Sequence, residues 1–161
     1  MGSLLPVPVE RLPGTSDLAL PAYASAEAAG LDLVAAVTDP LVLEPMGRAL
    51  IPTGIKIALP PGTEGQIRPR SGLAFEFGVT VLNAPGTIDS DYRGEVRILL
   101  VNLGALAFTV ERGMRVAQLV IAGVQRVELQ ETRSLPQTRR GGGGFGSTGG
   151  AAPLAAAGED R

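Results

Sequence analysis

The chain is organised around residues 83–95, which read NAPGTIDSDYRGE. This stretch holds a pair of closely spaced carboxylates, a Tyr and an Arg, and it opens with an Asn-Ala-Pro-Gly run that is typical of turns. Residues 79–82 before it and residues 96–103 after it are rich in β-branched and aliphatic side chains, so both segments predict strands. The pattern indicates a hairpin with polar side chains at its lip, where binding and catalytic residues tend to lie. A solvated hairpin with a charged loop is the alternative.

Composition excludes several kinds of chemistry. The 161 residues include no Cys and no His, so disulfides, thiolate metal sites and histidine bases are unavailable. Proton transfer near neutral pH must therefore use carboxylates, Tyr, Lys or water. Lys56 is the only lysine, which leaves most cationic contacts to Arg, whose planar fork suits phosphate.

The same counts bear on partners and location. A net charge of −2 argues against a nucleic-acid partner. No apolar run approaches the ~20 residues that span a bilayer, and the first residues lack the layout of a signal peptide. We therefore expect a cytoplasmic protein that binds neither nucleic acid nor membrane.

Frequent Pro and Gly divide the chain into short segments. Residues 71–77 are the best helix candidate, with Ser71 as a possible N-cap and Gly78 as the stop. Many short strands separated by turn signals are typical of an all-β sandwich or barrel. Besides the two segments that flank the hairpin lip, the predicted strands are residues 4–12, 31–37, 41–43, 48–59 (interrupted at Pro52 and Gly54), 64–68, 107–110 and 115–127.

The C-terminal part has a different character. From about residue 131 the sequence is rich in Gly and has few apolar side chains that could pack into a core. We expect three parts: a β-barrel domain over residues 1–133, a mobile arm over residues 134–150 and a disordered tail over residues 151–161.

Three stretches of the predicted barrel carry further candidate chemistry. Asp32 lies in an apolar run, where a carboxylate is costly unless it is paired, so it is either a site residue or a turn residue at the start of a strand. Arg70 and Ser71 open the predicted helix, where an anion is favoured, and an ordinary capped helix with an exposed Arg is the alternative. Gln118 is the one amide of the apolar segment 115–119 and is read either as a site residue or as a core Gln.

The Gly-rich arm contains a fourth stretch. Residues 140–149 surround one aromatic residue with glycines and place an Arg and two hydroxyl groups on either side of it. A flexible linker needs neither an aromatic nor an Arg, whereas an arm that closes over a nucleotide needs both, for the base and for the terminal phosphate. The spacing does not fit a P-loop, because no Gly-Lys-Ser/Thr follows.

In their order and spacing, these five stretches resemble the five motifs of the homotrimeric dUTPases (deoxyuridine 5′-triphosphate nucleotidohydrolases) over residues 25–149. The resemblance implies an all-β, distorted jelly-roll β-barrel with one short helix and a flexible Gly-rich C-terminal arm. It also implies a trimer whose sites lie between subunits: motifs one, two and four come from one subunit, the hairpin from a second and the arm from a third. The implied reaction is hydrolysis of dUTP to dUMP and pyrophosphate, which keeps uracil out of DNA and supplies dUMP for thymidylate synthesis.

The resemblance also implies a role for each site residue. Asp89 matches the general base that activates water for attack on the α-phosphorus, and a carboxylate suits a protein without His. Tyr92 matches the ring under the deoxyribose that excludes ribonucleotides. Asp32 and Gln118 match positions that orient water around the triphosphate and its Mg²⁺, which the triphosphate itself would hold. The other matches are Arg70, Ser71 and Gly72 for phosphate, Asn83 with the backbone of Gly86, Thr87 and Ile88 for uracil, and Arg140, Phe145, Gly146, Ser147 and Thr148 for the closing arm.

Three other interpretations compete with this one. The dCTP deaminase branch has the same kind of fold and ligand but lacks the Asp-Ser-Asp-Tyr arrangement at residues 89–92. A nucleotide-sensing regulator could bind dUTP and a protein without turnover, although the carboxylate at Asp89 and the arm argue for catalysis. A structural jelly-roll trimer would need neither.

Overall fold

A computed structural model describes residues 4–144 and residue 147 of the 161-residue chain. Within these residues it contains twelve short strands and one helix. In chain order they are β1 (Val9–Arg11), β2 (Ala22–Tyr23), β3 (Leu31–Val34), β4 (Leu41–Leu43), β5 (Arg48–Pro52), β6 (Ile55–Ile57), β7 (Thr63–Arg68), α1 (Ser71–Phe77), β8 (Val79–Val81), β9 (Gly86–Ile88), β10 (Arg97–Asn102), β11 (Phe108–Val110) and β12 (Arg115–Gly123).

The strands pair in antiparallel sheets. The largest sheet has the order β2-β3-β12-β7-β9, a second has the order β5-β10-β8, and the pairs β1-β6 and β11-β4 complete the set among the described residues. β12 lies in the middle of the largest sheet, so Gln118 stands opposite Asp32 of β3 on one side and Arg68 of β7 on the other. Two residues selected from distant stretches of sequence are therefore direct cross-strand partners.

The core follows from alternation along these strands. Successive side chains of a strand point to opposite faces, and in β10 the inward-facing Ile98 and Leu100 are both fully buried. Asn102 at the end of β10 is also fully buried, and its side-chain amide donates to two backbone carbonyls at 2.8 Å and accepts a backbone N–H at 2.9 Å. A buried amide that is hydrogen-bonded in this way avoids the cost of desolvation. The all-β class with one short helix is confirmed.

The helix has the predicted bounds but not the predicted cap. Gly78 ends it in the left-handed conformation, with φ of 69°, which confirms this residue as the stop. The prediction of Ser71 as N-cap was wrong. Arg70 keeps an extended backbone and occupies the N-cap position, without a side-chain cap, so Ser71 is already the first helical residue. A hydroxyl in that position is no longer placed to cap the N–H groups of the first turn.

The structure of the hairpin also differs from the prediction in one respect. β8 and β10 pair as expected, with Val81 opposite Leu100, but the segment between them contains a further strand, β9, that belongs to the largest sheet and pairs with β7. A Cβ at Gly86 would lie 3.3 Å from the Cβ of Ile67, so a small residue allows the close approach of these two strands. The lip therefore connects two sheets, and the Ala84–Pro85 peptide bond within it is cis.

A surface ion pair fastens the N-terminal segment to the rest of the fold. Arg112 donates from Nε and Nη2 to the two carboxylate oxygens of Asp17, at 2.9 and 2.7 Å. The same guanidinium donates to the carbonyls of Gly14 at 2.7 Å and Val37 at 3.2 Å. This hydrogen bonding lowers the pKa of the Asp17 carboxyl below its usual 3.8 and raises the pKa of Arg112.

The chain divides into two compact units between Arg126 and Val127. The described residues of the second unit form turns, bends and irregular segments, without a strand or a helix. Phe145, Gly146, Thr148 and the predicted tail (residues 151–161) lie outside the described residues, and the predicted boundaries of the arm stay predictions. Over the part of the chain that is described, no helix is long and apolar enough to cross a membrane.

Candidate active site

A cleft of about 660 Å³ lies beside the largest sheet, and we call it the arginine cleft. Three separate sequence stretches contribute to it, and each of them was selected from the sequence as a candidate site. The predicted residues that line it are Asp32, Arg70, Ser71, Gly72 and Gln118, together with Arg115, Glu76, Phe77 and small residues from the loop before β3.

The strand register and a close approach position Gln118 in this cleft. Its Nε2 donates to the backbone carbonyl of Pro69 at 2.9 Å, which joins β12 to the chain just before α1. Its side chain also lies against Gly30, where a Cβ would overlap the amide oxygen. A side chain at position 30 would therefore require the amide of Gln118 to move. Gln118 is a partly buried cleft residue with a satisfied amide, not an isolated core Gln.

Asp32 organises the charges of the cleft. Its carboxylate, one-fifth exposed, lies 3.5 Å from Nε of Arg70 and accepts a hydrogen bond from Nη1 of Arg115 at 3.3 Å. Arg70 also donates from Nη1 to the backbone carbonyl of Arg115 at 3.3 Å. A guanidinium has five N–H donors, so these contacts orient both arginines while leaving donors for an anion. The costly burial of Asp32 is offset by this pairing.

The acidic loop of the hairpin, residues 89–95, lies elsewhere, and we call it the Asp89 loop. With Thr87 and Ile88 of β9, its residues Asp89 and Tyr92 line a smaller cavity of about 230 Å³. Asp89 also borders an open cavity of about 690 Å³ next to Glu64. None of the described residues of the Asp89 loop lines the arginine cleft.

Tyr92 is held at both its main chain and its hydroxyl. Its N–H donates to the carbonyl of Asp89 at 3.1 Å, which closes a turn, and its Oη donates to the carbonyl of Glu95 at 3.1 Å. The ring lies over Gly94, where a Cβ would overlap it. A side chain at position 94 would therefore require the ring to move, and 41% of Tyr92 is exposed.

The predicted uracil-reading residues lie on and beside β9. Gly86 is opposite Ile67 in the sheet, and the side-chain amide of Asn83 lies so close that a Cβ at Gly86 would be 3.1 Å from its Nδ2. Along β9, Thr87 is exposed and Ile88 is buried. The side-chain amide of Asn83 and the start of β9 are therefore close together, and their role in reading uracil stays a prediction.

Two predicted arm residues lie among the described residues of the second unit. Arg140 donates from Nε to the carbonyl of Gly143 at 2.9 Å, and its own carbonyl accepts the N–H of Gly143 at 3.1 Å. Ser147 donates its N–H to the carbonyl of Gly144 at 3.1 Å. The arm thus forms local turns around its glycines.

Two residues with clear contacts at these sites were not selected from the sequence. Arg115 opens the Gln118 stretch and could have been found as a basic residue beside a selected one. Glu95 closes the quoted hairpin stretch, but its contact is with the N–H of Gly54. No local pattern signals a contact between residues so far apart in the sequence.

Comparison with known proteins identifies the family of this fold. The family model described as dUTPase matches residues 16–149. The deoxyuridine 5′-triphosphate nucleotidohydrolase of Methylocella silvestris is 60% identical over 154 residues, covering 94% of this chain and 96% of that protein.

Solved structures share the fold at lower identity. A mutant dUTPase of Staphylococcus bacteriophage 80alpha, solved with dUpNHpp, superposes with a TM-score of 0.80 at 24% identity, covering 89% of this chain and 98% of that one. A mutant dUTPase from phage phi11 of S. aureus, described with a structural Mg(II) ion, has a TM-score of 0.72 at 21% identity, covering 83% and 100%. Their fold and the match over most of the sequence agree, and the chain belongs to the dUTPase family.

Proposed function

We propose that the chain hydrolyses dUTP to dUMP and pyrophosphate, with Asp89 as the base and the arginine cleft as the phosphate site. Hydrolysis of dUTP is the activity of its family and of its 60%-identical relative, and it excludes the deaminase interpretation. The reaction keeps uracil out of DNA and supplies dUMP. The observation that carries the assignment of sites is the gathering of Asp32, Arg70 and Gln118 in one cleft apart from the Asp89 loop.

Asp89 takes the proton in this scheme. Its carboxylate removes a proton from water while the water oxygen forms a bond to the α-phosphorus. The bond from that phosphorus to the oxygen bridging to the β-phosphorus breaks, and pyrophosphate leaves with the electron pair. In a protein without His, an exposed carboxylate on a constrained loop is a suitable base.

Phosphate binding falls to the arginine cleft and to the arm. Arg70 is pre-oriented by Asp32, so less freedom is lost when its remaining N–H groups bind a phosphate oxygen. Ser71, Gly72 and Gln118 line the same cleft. Arg140 and Ser147 of the arm would bind the terminal phosphate, with Thr148, while Phe145 and Gly146 would cover the base.

Selection of base and sugar falls to the hairpin lip. Asn83 and the main chain at Gly86, Thr87 and Ile88 would pair with the amide edge of uracil, and the tight turn would leave no space for a 5-methyl group. The exposed face of Tyr92 would lie under the deoxyribose and reject a 2′-hydroxyl by steric contact.

Mg²⁺ is the proposed cofactor, and the donor groups fit an ion that arrives with the substrate. Within the described residues, no group of three or more acidic, His or Cys side chains could hold a metal ion, and the carboxylate of Asp32 is engaged by two arginines. The triphosphate would therefore supply most of the ligands, and Asp32 and Gln118 would contact ion-bound water. When bound, the ion would neutralise charge on the phosphate oxygens.

A homotrimer with shared sites is the proposed assembly. The arginine cleft and the Asp89 loop line different cavities of one chain, so a complete site would combine the cleft of one subunit with the loop of another. The arm of a third would close it. A cytoplasmic location stays a prediction.

Pyrophosphate release is the direct test of this function. The measurement uses dUTP as substrate, with dCTP and dTTP as controls, and we expect turnover of dUTP alone. A preference for dCTP or equal turnover of dTTP would overturn the proposed base selection.

Truncation after Arg133 tests the role of the arm. Because residues 134–161 carry few apolar side chains that could pack into a core, the shortened protein should keep its thermal melting point and its oligomeric state. Its hydrolysis should fall by about 10²-fold, since closure positions the water and the terminal phosphate. A truncated protein that stays fully active would show that the arm is only a tail, and one that falls to monomers would show that it is structural.

A further inference from the structure

The Asp89 loop is connected to the sheets differently at its two ends. At its start it continues directly from β9, whose Ile88 pairs with Gly65 of β7. At its end a side chain, Glu95, makes the connection: the backbone N–H of Gly54 donates to its Oε1 at 2.9 Å. The first end is therefore fixed by a ladder of backbone hydrogen bonds, whereas the last residue of the loop is held to the β5–β6 connection through its side-chain carboxylate.

The partner of this carboxylate is rigid. Gly54 lies in the tight connection between β5 and β6 with φ of +72°, a conformation that favours glycine. A Cβ there would also overlap the side chain of Thr15, so the turn is closely packed against this residue. An N–H presented by such a turn is a fixed point, and its bond to a carboxylate is stronger than a neutral one.

The backbone of Glu95 contacts Tyr92. The backbone carbonyl of Glu95 accepts the hydrogen bond from Oη of Tyr92 at 3.1 Å, while the N–H of Tyr92 donates to Asp89. The ring of Tyr92 and the backbone of Asp89 are thus linked through Glu95 to Gly54. Asp89, Tyr92 and Glu95 all line the same cavity of about 230 Å³.

We propose that Glu95 is the positioning residue of the Asp89 loop, and that its side chain sets the sugar specificity of the enzyme by fixing Tyr92. The inference rests on the proposed roles of Asp89 and Tyr92. Glu95 itself touches no reacting atom in this scheme. Its contribution is to keep the loop at a constant distance from the sheets. The ring of Tyr92 then keeps its position when a ribonucleotide binds, and it excludes the 2′-hydroxyl.

The strand that follows does not depend on this carboxylate. The Thr53 hydroxyl donates to the carbonyl of Val96, and the N–H of Val96 donates to the carbonyl of Ile55 at 2.9 Å. β10 therefore stays attached to the β5–β6 connection when the Glu95 side chain is removed. A loss of Glu95 should release the loop while leaving the sheet in place.

The experiment compares Glu95→Ala with Glu95→Gln, which keeps a side-chain oxygen as acceptor. The measured quantity is kcat/KM for dUTP divided by kcat/KM for UTP. We expect Glu95→Ala to lower this ratio about tenfold, through misplacement of the ring, and Glu95→Gln to stay within about twofold of wild type. If Glu95→Ala does not fold, Glu95→Asp, which shortens the side chain by one methylene, should show the same loss to a smaller degree.

Two control variants separate positioning from general stability. Thr53→Val removes the neighbouring hydrogen bond to Val96 but no contact of the Asp89 loop, so it should lower the melting temperature without changing the dUTP/UTP ratio. Glu10→Ala removes an exposed carboxylate that pairs with Lys56 at 3.1 Å, and it should change neither quantity.

Hydrogen exchange of the backbone amides of residues 89–95 gives a readout that needs no activity. Faster exchange in this segment alone is expected for Glu95→Ala and not for Glu95→Gln. An unchanged ratio together with unchanged exchange in Glu95→Ala would overturn the inference, as would a loss in Glu95→Gln equal to that in Glu95→Ala. A wild-type protein that does not discriminate dUTP from UTP would instead refute the proposed role of Tyr92, and the exchange result would still decide whether Glu95 anchors the loop.

Discussion

The arginine cleft and the Asp89 loop are built in different ways. The cleft takes its groups from paired strands and the start of α1, and its charged side chains hold one another: Asp32 is paired with both Arg70 and Arg115. The loop depends on a few contacts between side chains and main chain, among them those of Glu95. The difference indicates that the proposed triphosphate site is pre-organised by paired charges within one chain, whereas the groups proposed for chemistry and sugar selection depend on a few contacts that fix their loop. The predictions that follow test this division.

The largest expected effect is that of Asp89→Asn. The amide keeps the size and the hydrogen bonding of the side chain but cannot take a proton, so kcat should fall by roughly 10²-fold or more, with KM for dUTP little changed. Steady-state kinetics of pyrophosphate release provide the measurement, and Asp91→Asn, two residues along the same loop, is the matched control. Activity of Asp89→Asn within a few-fold of wild type would assign the base to Asp91 or Asp32 instead.

Co-expression of two inactive variants tests whether the two regions meet between subunits. Arg70→Ala should weaken phosphate binding, and Asp89→Asn should abolish proton transfer, so each homotrimer is nearly inactive. In mixed trimers assembled at random from equal amounts, about a quarter of the shared sites would combine an intact cleft with an intact loop. Recovery of about a quarter of wild-type kcat per site is therefore expected. No recovery in mixtures whose mixed composition is verified by mass spectrometry would show that both groups act within one chain.

A more moderate effect is expected at Tyr92. A smaller side chain should admit the 2′-hydroxyl of ribose, so Tyr92→Ala should lower the dUTP/UTP ratio of kcat/KM by about tenfold, the scale of a steric pocket contact. Tyr92→Phe keeps the ring but loses the hydrogen bond to Glu95, and it should lie between wild type and Tyr92→Ala. An unchanged ratio in Tyr92→Ala would move the discrimination to another part of the hairpin.

The smallest effect is expected outside both regions, at Asp17. Its folded-state pKa is lowered by the hydrogen bond from Arg112, so the pair stabilises the fold above the unfolded pKa near 3.8 and loses this contribution as the pH falls through the lower folded value. Asp17→Asn should lower the melting temperature by about 1–2 °C at pH 7, since the pair is exposed, and the difference from wild type should vanish at strongly acidic pH. Kinetic constants should not change. A difference that grows on acidification would contradict the assignment.

Much of the local structure follows from the sequence alone. The bounds of α1, its stop at Gly78 and the strand at Leu41–Leu43 were predicted as observed, because residue types along a few positions determine turns, helix ends and alternation. The five motifs and their order were likewise identified from the sequence, and they implied the family. The choice of Asp89 and Tyr92 as site residues came from the same reading and stays a prediction for experiment.

The tertiary structure alone decided which of these residues lie together. The register of β12 places Gln118 opposite Asp32. The close packing of β7 and β9 makes a strand of residues that the sequence assigned to the lip of a hairpin, and Arg70 rather than Ser71 precedes the helix. Glu95 and the N–H of Gly54 meet only after the sheets have formed. These features depend on contacts between residues that are distant in sequence. No local pattern of side chains specifies which distant residues come into contact. The sequence by itself therefore determined the elements and the candidate chemistry, and packing between sheets determined which groups share a cleft.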